Sequence, residues 1–290
     1  MRHIIAKNSG LSAILGVVVV VYFSVLLSII ISVTLISLSP QLQARTVNIN
    51  SVSSNDYNYN HNNTTLHPTY SPVFTADSKP YNLTYGEWTA RWWQWGYSVP
   101  KDNNPAYDDN GKNCAQEQKG PVWFLAGTYG HPVDRVCTIP AGKAILFPIL
   151  NSECSFAEFP NLKTLSQLHT CAKAIQDHVS TLYASIDGIP IPHLQGYRIQ
   201  SPPFNFTLPQ NNILGMPANT TSQAIADGNW AFLKPLSLGT HKLMFKGGVQ
   251  QSKIGGISSN IPGDSGGSFA FPSGWDFLTT YNLIVKKDNR

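Results

Sequence analysis

Ser265 has the surroundings most suggestive of covalent chemistry in this chain. It sits in Gly263-Asp264-Ser265-Gly266-Gly267, where glycines let the backbone turn sharply and aim N–H groups at an oxyanion forming beside a serine hydroxyl. Such a nucleophile needs a base, and an acid to orient that base. His131 or His169, followed by Asp187, would supply them in chain order. The flanks speak against the reading. From 247 to 274 the chain is dense in Gly, Ser, Gln and Asn, a loop composition in which this motif arises readily by chance.

The motif resembles the nucleophile loop of the chymotrypsin-like serine proteases. The catalytic His of that family lies in a small-residue stretch ending His-Cys, which neither His131-Pro132-Val133 nor His169-Thr170-Cys171 matches. Its two-barrel fold has no place for the helices described below. A serine hydrolase using Ser265 therefore stands as the alternative, and a non-enzymatic role is expected. Glu87, Glu117, Glu153, Glu158 and Asp187 include no two that spacing alone would pair for glycoside hydrolysis. His61 and His67 lie in a polar tract, and His193 and His241 have no partner at ligand spacing. No metal and no cofactor is expected.

The element that organises the rest runs from Tyr81 to Pro100. Thr84 and Glu87 have capping-box spacing, so a helix should start there, and Gly96 and Pro100 should end it. Tyr85, Trp88, Trp92 and Trp95 fall on one face of a 3.6-residue period. Rings this dense are the seed of a core or a stacking surface for a ligand, and the core reading is favoured. A second helix is predicted from Leu162 to about Val179, with Thr164 and Gln167 as another capping box.

Residues 11–38 carry no charge and are rich in Val, Ile and Leu, long enough to cross a hydrocarbon core of about 30 Å. Arg2, His3 and Lys7 precede the segment, which favours a cytoplasmic N-terminus at 1–10 and an exterior body. A single-pass signal anchor in the cell membrane is expected, with a cleaved signal and a secreted body as the rival. Residues 39–79, rich in Asn, Ser, Thr and Tyr, read as a disordered stalk, and 80–290 as the exported domain. The net charge of +4 comes with no Lys/Arg cluster interleaved with aromatics, so nucleic acid is excluded as a partner.

Cys114, Cys137, Cys154 and Cys171 are four, clustered, and free of C-x-x-C spacing, which reads as two disulfides in an oxidising compartment. Three pairings can be drawn. The sequential one, 114 with 137 and 154 with 171, closes the shortest loops and is favoured. Asn62, Asn63, Asn82, Asn205 and Asn219 begin Asn-x-Ser/Thr acceptors for glycosylation.

Strands are predicted at 121–126, 143–150, 197–200, 229–233, 241–246 and 277–286, with a hairpin from Thr181 to Ile191 around Asp187-Gly188 and a turn at 137–143. Many short strands and two helices argue for a mainly β domain, an antiparallel β-sandwich or jelly roll stapled by disulfides.

Trp88 with Trp92-Trp93-Gln94-Trp95, Gly120-Pro-Val-Trp-Phe-Leu-Ala-Gly127, Cys137-Thr-Ile-Pro-Ala-Gly-Lys143 and Phe147-Pro-Ile-Leu-Asn151 resemble a group of uncharacterised exported microbial proteins. The resemblance covers most of 81–286, implies an exported domain, and brings no activity or catalytic residue with it. The expected role is binding or surface structure at the cell exterior, with carbohydrate or a cell-envelope polymer as ligand and Trp92, Trp93 and Trp123 as candidate stacking residues. A third class is an accessory subunit of a membrane complex. No feature of the sequence sets an oligomeric state.

Overall fold

A computed structural model describes residues 71–129, 131–249 and 276–288, with Ile175 and Phe277 as backbone only. The expected anchor at 11–38, the cytoplasmic 1–10, most of the stalk, Asn62, Asn63 and the Ser265 loop lie outside the described residues. Among the described residues no helix is long and apolar enough to cross a membrane.

Helix α1, Tyr85–Ser98, begins as its sequence dictates. The Glu87 N–H donates to Thr84 Oγ1 at 3.2 Å and the Thr84 N–H donates to Glu87 Oε2 at 2.7 Å, so the box satisfies two free donors reciprocally. Helix α2, Leu165–Gln176, is capped the same way, with Gln167 N–H on Thr164 Oγ1 at 3.2 Å. It starts three residues later than its apolar period suggests, because Thr164 takes the cap and leaves Leu162 outside the helix.

Among the described residues ten strands form two sheets. The first contains β1 (Val122–Phe124), β3 (Ala144–Ser155), β6 (Arg198–Gln200), β7 (Phe204–Thr207) and β8 (Thr221–Leu233), in the order β1-β3-β8-β6 with β7 also on β8. The second runs β2-β10-β9-β4-β5, from β2 (Val133–Pro140), β4 (Val179–Ile186), β5 (Ile189–Pro190), β9 (Gly239–Val249) and β10 (Asp276–Lys286). Among the described residues the fold is mainly β with two helices, as expected, but its sheets are mixed. β1 pairs parallel with β3, and β2 parallel with β10. The expectation of an all-antiparallel sandwich is corrected on this point. The chain leaves the first sheet after β1 to build β2 in the second, and it re-enters as β3 in the same direction, which no hairpin could do.

β2 corrects the turn expected at 137–143, since Cys137 to Pro140 are strand. Its strict alternation of buried and exposed residues marks a half-buried strand, and the turn proper is Ala141-Gly142, where Gly142 has φ +84°. Residues 71–79, given to the stalk by composition, belong to the domain. Val73 is buried and bridges Leu233, and the Phe74 N–H donates to the Phe232 carbonyl at 2.9 Å.

The core has three parts. Between the sheets, Trp123, Ile145, Phe147 and Leu233 meet Ile139, Leu243, Phe245 and Leu283. On the other face of the first sheet, α1 packs against Phe124, Leu146, Trp230 and Phe232 and reaches Phe204 and Phe206. α2 covers the far end around Ile225 and Cys154. β3 and β8 are thus covered on both faces, which explains their near-continuous burial. Both favoured disulfides are present. Cys114 joins Cys137 on β2, and Cys154 on β3 joins Cys171 on α2.

Candidate functional site

The indole rings of α1 are not a ligand surface. Trp88, Trp92, Trp93 and Trp95 are all buried, and so is Trp123 on β1. Trp88 donates its ring N–H to the Pro80 carbonyl, Trp92 to Leu125 and Trp95 to Gln116, at 2.8, 2.9 and 2.8 Å. Edge-on contacts link Trp92 to Trp93, Trp95 and Trp230, with centroids 5.2, 5.8 and 5.4 Å apart. This is core geometry. The expected stacking role of Trp92, Trp93 and Trp123 is corrected, because none presents a ring face to solvent. The period of α1 predicted Trp88, Trp92 and Trp95. It did not mark Trp93 or Tyr97, which are buried because β7 flanks the helix as well.

Two rings do face outward together. Tyr107 and Tyr129 are 44% and 46% exposed and stack with centroids 5.1 Å apart and planes at 28°. Lys101 Nζ lies 5.3 Å from the Tyr107 ring, within cation–π range. Neither tyrosine belongs to an apolar period. The signal in the sequence was an aromatic residue set in a polar loop, where no local partner would bury it.

Each ring is held by backbone that is itself clamped. Tyr107 ends a short 3-10 turn, Pro105–Tyr107, capped by Asn104, whose side-chain amide donates to the Gly96 carbonyl at 2.8 Å and so ties the turn to the end of α1. The Asp108 carboxylate then accepts N–H donations from Asn110, Gly111 and Asn113. The buried guanidinium of Arg135 spans the two loops. It donates to the carbonyls of Ala106 and Asp108, on either side of Tyr107, and to those of Ala126 and Gly127, just before Tyr129.

Two acids meet at the Tyr97 hydroxyl. Of the carboxylates named from the sequence, Glu153 on β3 and Glu158 just after it are the two brought together. The Tyr97 hydroxyl from α1 donates to Glu153 Oε1 and stands 3.5 Å from Glu158 Oε2. Ser155 Oγ donates to Glu158 Oε2 at 2.7 Å. Burial pushes the Glu153 carboxyl well above the usual carboxylate range, and the charge and hydrogen bond of Glu158 push the same way, against the Tyr97 hydroxyl. Burial raises the Tyr129 pKa, and Tyr107, Glu158 and Glu153 add to the rise. Carboxyls in hydrogen-bond contact stand closer than the roughly 5 Å that a glycosidase pair needs to flank a sugar bond.

Asp187 meets a different histidine from those its place in the chain suggested. His241 Nδ1 is 2.7 Å from Asp187 Oδ2, and His241 Nε2 is 3.3 Å from Ser237 Oγ. The outline is that of a catalytic triad, but the proton positions are not. Nε2 is also 3.0 Å from the Ser237 carbonyl, so both ring nitrogens face acceptors and the ring is held as a donor at each end. Burial opposes the charge on His241 but is outweighed by Asp187 and that carbonyl, so its pKa is raised. An imidazolium cannot take a proton from Ser237. His131 pairs with Asp109 at 2.9 Å instead.

A cleft of about 760 Å³ lies between residues 76–87 and 198–202. Its strongest charges are engaged, Glu87 with the Thr84 cap and Arg198 with Asp177 and Asp227. Among the described residues no group of three or more His, Cys, Asp and Glu could hold a metal ion. The acceptors Asn82, Asn205 and Asn219 are all exposed.

No family model matches this chain, and no curated protein does. Two solved structures show similarity: a cysteine protease inhibitor, EhICP2, from Entamoeba histolytica, with 11% identity over 57% of this chain and 96% of that one, and PbICP-C, solved in complex with falcipain-2, with 8% identity over 58% of this chain and 100% of that one. The TM-score is 0.20 for each, and neither carries an argument about fold or activity.

Proposed function

We propose that this is an exported, membrane-anchored binding protein whose described domain holds a polyhydroxylated ligand, a carbohydrate or cell-envelope polymer, on the Tyr107–Tyr129 platform. The observation that carries the reading is the stacked pair itself, two exposed rings lying face to face with Lys101 beside them. Ring faces favour the apolar C–H faces of sugars, and Lys101 beside them offers hydrogen bonds to hydroxyls. Two disulfides support an oxidising compartment. The uncharged segment at 11–38 supports an anchor.

The test is a glycan array probed with the purified protein, followed by titration of the best ligand against Tyr107→Ala and Tyr129→Ala. Each substitution should weaken binding about tenfold, roughly 1.4 kcal/mol, while Trp93→Phe should leave it unchanged. Undiminished binding in the double tyrosine variant would remove the platform as the site.

A further inference from the structure

Strand register brings several turns to one end of the domain. Lys286 of β10 faces Pro140 of β2, Val285 faces Gly239 of β9, and Ile186 of β4 faces Leu243 of β9. In the first sheet Ile145 of β3 faces Leu233 of β8, and the turn 141–143 joins β2 to β3 at the same end. These turns and strand ends carry Lys143, Lys234, Lys242, Lys286 and Lys287. Among the described residues no ion pair includes Lys143, Lys242, Lys286 or Lys287. Of the acids at this end, Asp187 is met by His241 at 2.7 Å and by the Lys242 N–H at 2.8 Å, and Asp288 follows the last lysine. The balance is positive.

Two aliphatic side chains stand in solvent among these lysines. Leu238, in the β8–β9 turn, is 55% exposed, and Ile189, at the β4–β5 hairpin, is 68% exposed. His241 ties the two turns together, with Nδ1 on Asp187 and Nε2 on the Ser237 carbonyl at 3.0 Å. Apolar tips set among cations match a surface that is anionic at its headgroups and apolar beneath them. A soluble polyanion would meet the lysines and leave Leu238 and Ile189 in water. The described chain also enters at this end. Val73 bridges Leu233, and the Lys234 N–H donates to the Pro72 carbonyl at 2.8 Å, so the residues that lead from 11–38 join the domain here.

We infer that this end of the domain docks on an anionic lipid bilayer, with Leu238 and Ile189 entering the interface and the lysines meeting the headgroups. The Tyr107–Tyr129 pair is then held off the membrane. Tyr129 lies just before β2 and the lysine end just after it, and the eight residues of β2 span about 23 Å at the usual strand rise.

The test attaches a bimane fluorophore to the full-length chain at Leu238→Cys, and in a second sample at Tyr129→Cys. Each is mixed with vesicles of brominated phosphatidylcholine, with and without phosphatidylglycerol. Bromine quenches a fluorophore that reaches the bilayer. The Leu238 label should be quenched on the phosphatidylglycerol vesicles and the Tyr129 label should not. Raising salt from about 0.1 M to about 1 M, which shortens the screening length from about 10 Å to about 3 Å, should release the Leu238 label. Each lysine near an anionic surface strengthens binding about fivefold, so Lys242→Gln, Lys286→Gln and Lys287→Gln combined should release it as well. No quenching at Leu238, equal quenching at both positions, or quenching that survives the triple substitution overturns the docking surface. Only the point of chain entry rests on the anchor reading, which flotation of the parent with neutral vesicles measures separately. If the chain does not float, the anchor reading fails, and quenching at Leu238 on the anionic vesicles still decides the docking surface.

Discussion

Arg135 donates from Nη1 to the Tyr281 hydroxyl at 2.9 Å, and Tyr281 donates onward to the Ala126 carbonyl at the same distance. The guanidinium also sits 5.4 Å from the Tyr281 ring centroid. A buried cation is expensive unless every proton finds an acceptor. Here carbonyls from both platform loops supply them. Arg135→Met should remove a donor from each of those carbonyls and cost roughly 3–5 kcal/mol in urea denaturation. Arg135→Lys should recover only part, since an ammonium cannot reproduce the planar fork.

Trp92→Ala should cost roughly 3–5 kcal/mol in the same assay, because the ring is packed by three other indoles and its N–H holds the Leu125 carbonyl. Ligand affinity of the fraction that remains folded should be unchanged, since the site lies elsewhere.

At Gly247 the second sheet lies directly against the first. A Cβ there would lie 2.6 Å from the Ile149 carbonyl oxygen and 2.5 Å from Leu150 Cβ. Gly247→Ala should therefore destabilise by about 1–3 kcal/mol through overpacking. Gly196, where a Cβ meets nothing within 4 Å, is the control, and Gly196→Ala should stay within about 0.5 kcal/mol of the parent.

His241 binds its proton more tightly folded than unfolded. Stability from its contacts with Asp187 and the Ser237 carbonyl is therefore fully present below the unfolded imidazole pKa of about 6.5 and is lost as pH rises through the raised folded value. Denaturation of the parent against His241→Gln at about pH 5.5 and about pH 8.5 should show a larger difference at the lower pH. A fluorophosphonate probe should leave Ser237 unlabelled at both. Labelling there would show that the imidazole works as a base after all.

The helices were legible because their signals are local. Thr84 with Glu87, and Thr164 with Gln167, fix both starts within four residues. The disulfide pairing followed from loop length, and the Asp187-Gly188 hairpin from its turn residues. β3 was read as ending at Leu150, because Asn151, Ser152 and Glu153 look like loop. They remain strand because β8 pairs with them throughout and α2 covers them. Parallel pairing could not be read at all, since it depends on which sheet the chain visits between two strands. The site was hidden for a related reason. Tyr97 reaches Glu153 and Glu158 from α1, and Tyr107, Tyr129 and Arg135 come together from three further segments, so only packing makes these residues neighbours.

β10 is the last of the ten described strands, yet it lies inside its sheet, between β2 and β9. Its parallel partner β2 precedes it by more than a hundred residues of chain, with Val133 opposite Thr279. During synthesis β2 must wait for that partner with one ladder of backbone groups unmet, a condition that invites pairing with other chains. The Cys114–Cys137 bond needs only residues already made. It can moor the waiting strand to the loop before it, where the Val136 N–H already donates to the Asn110 carbonyl at 2.9 Å. Nascent chains stopped before residue 276 should carry that bond while the second sheet is still open to hydrogen exchange. Losing either cysteine should then show first as aggregation during biosynthesis, ahead of any defect in the finished protein.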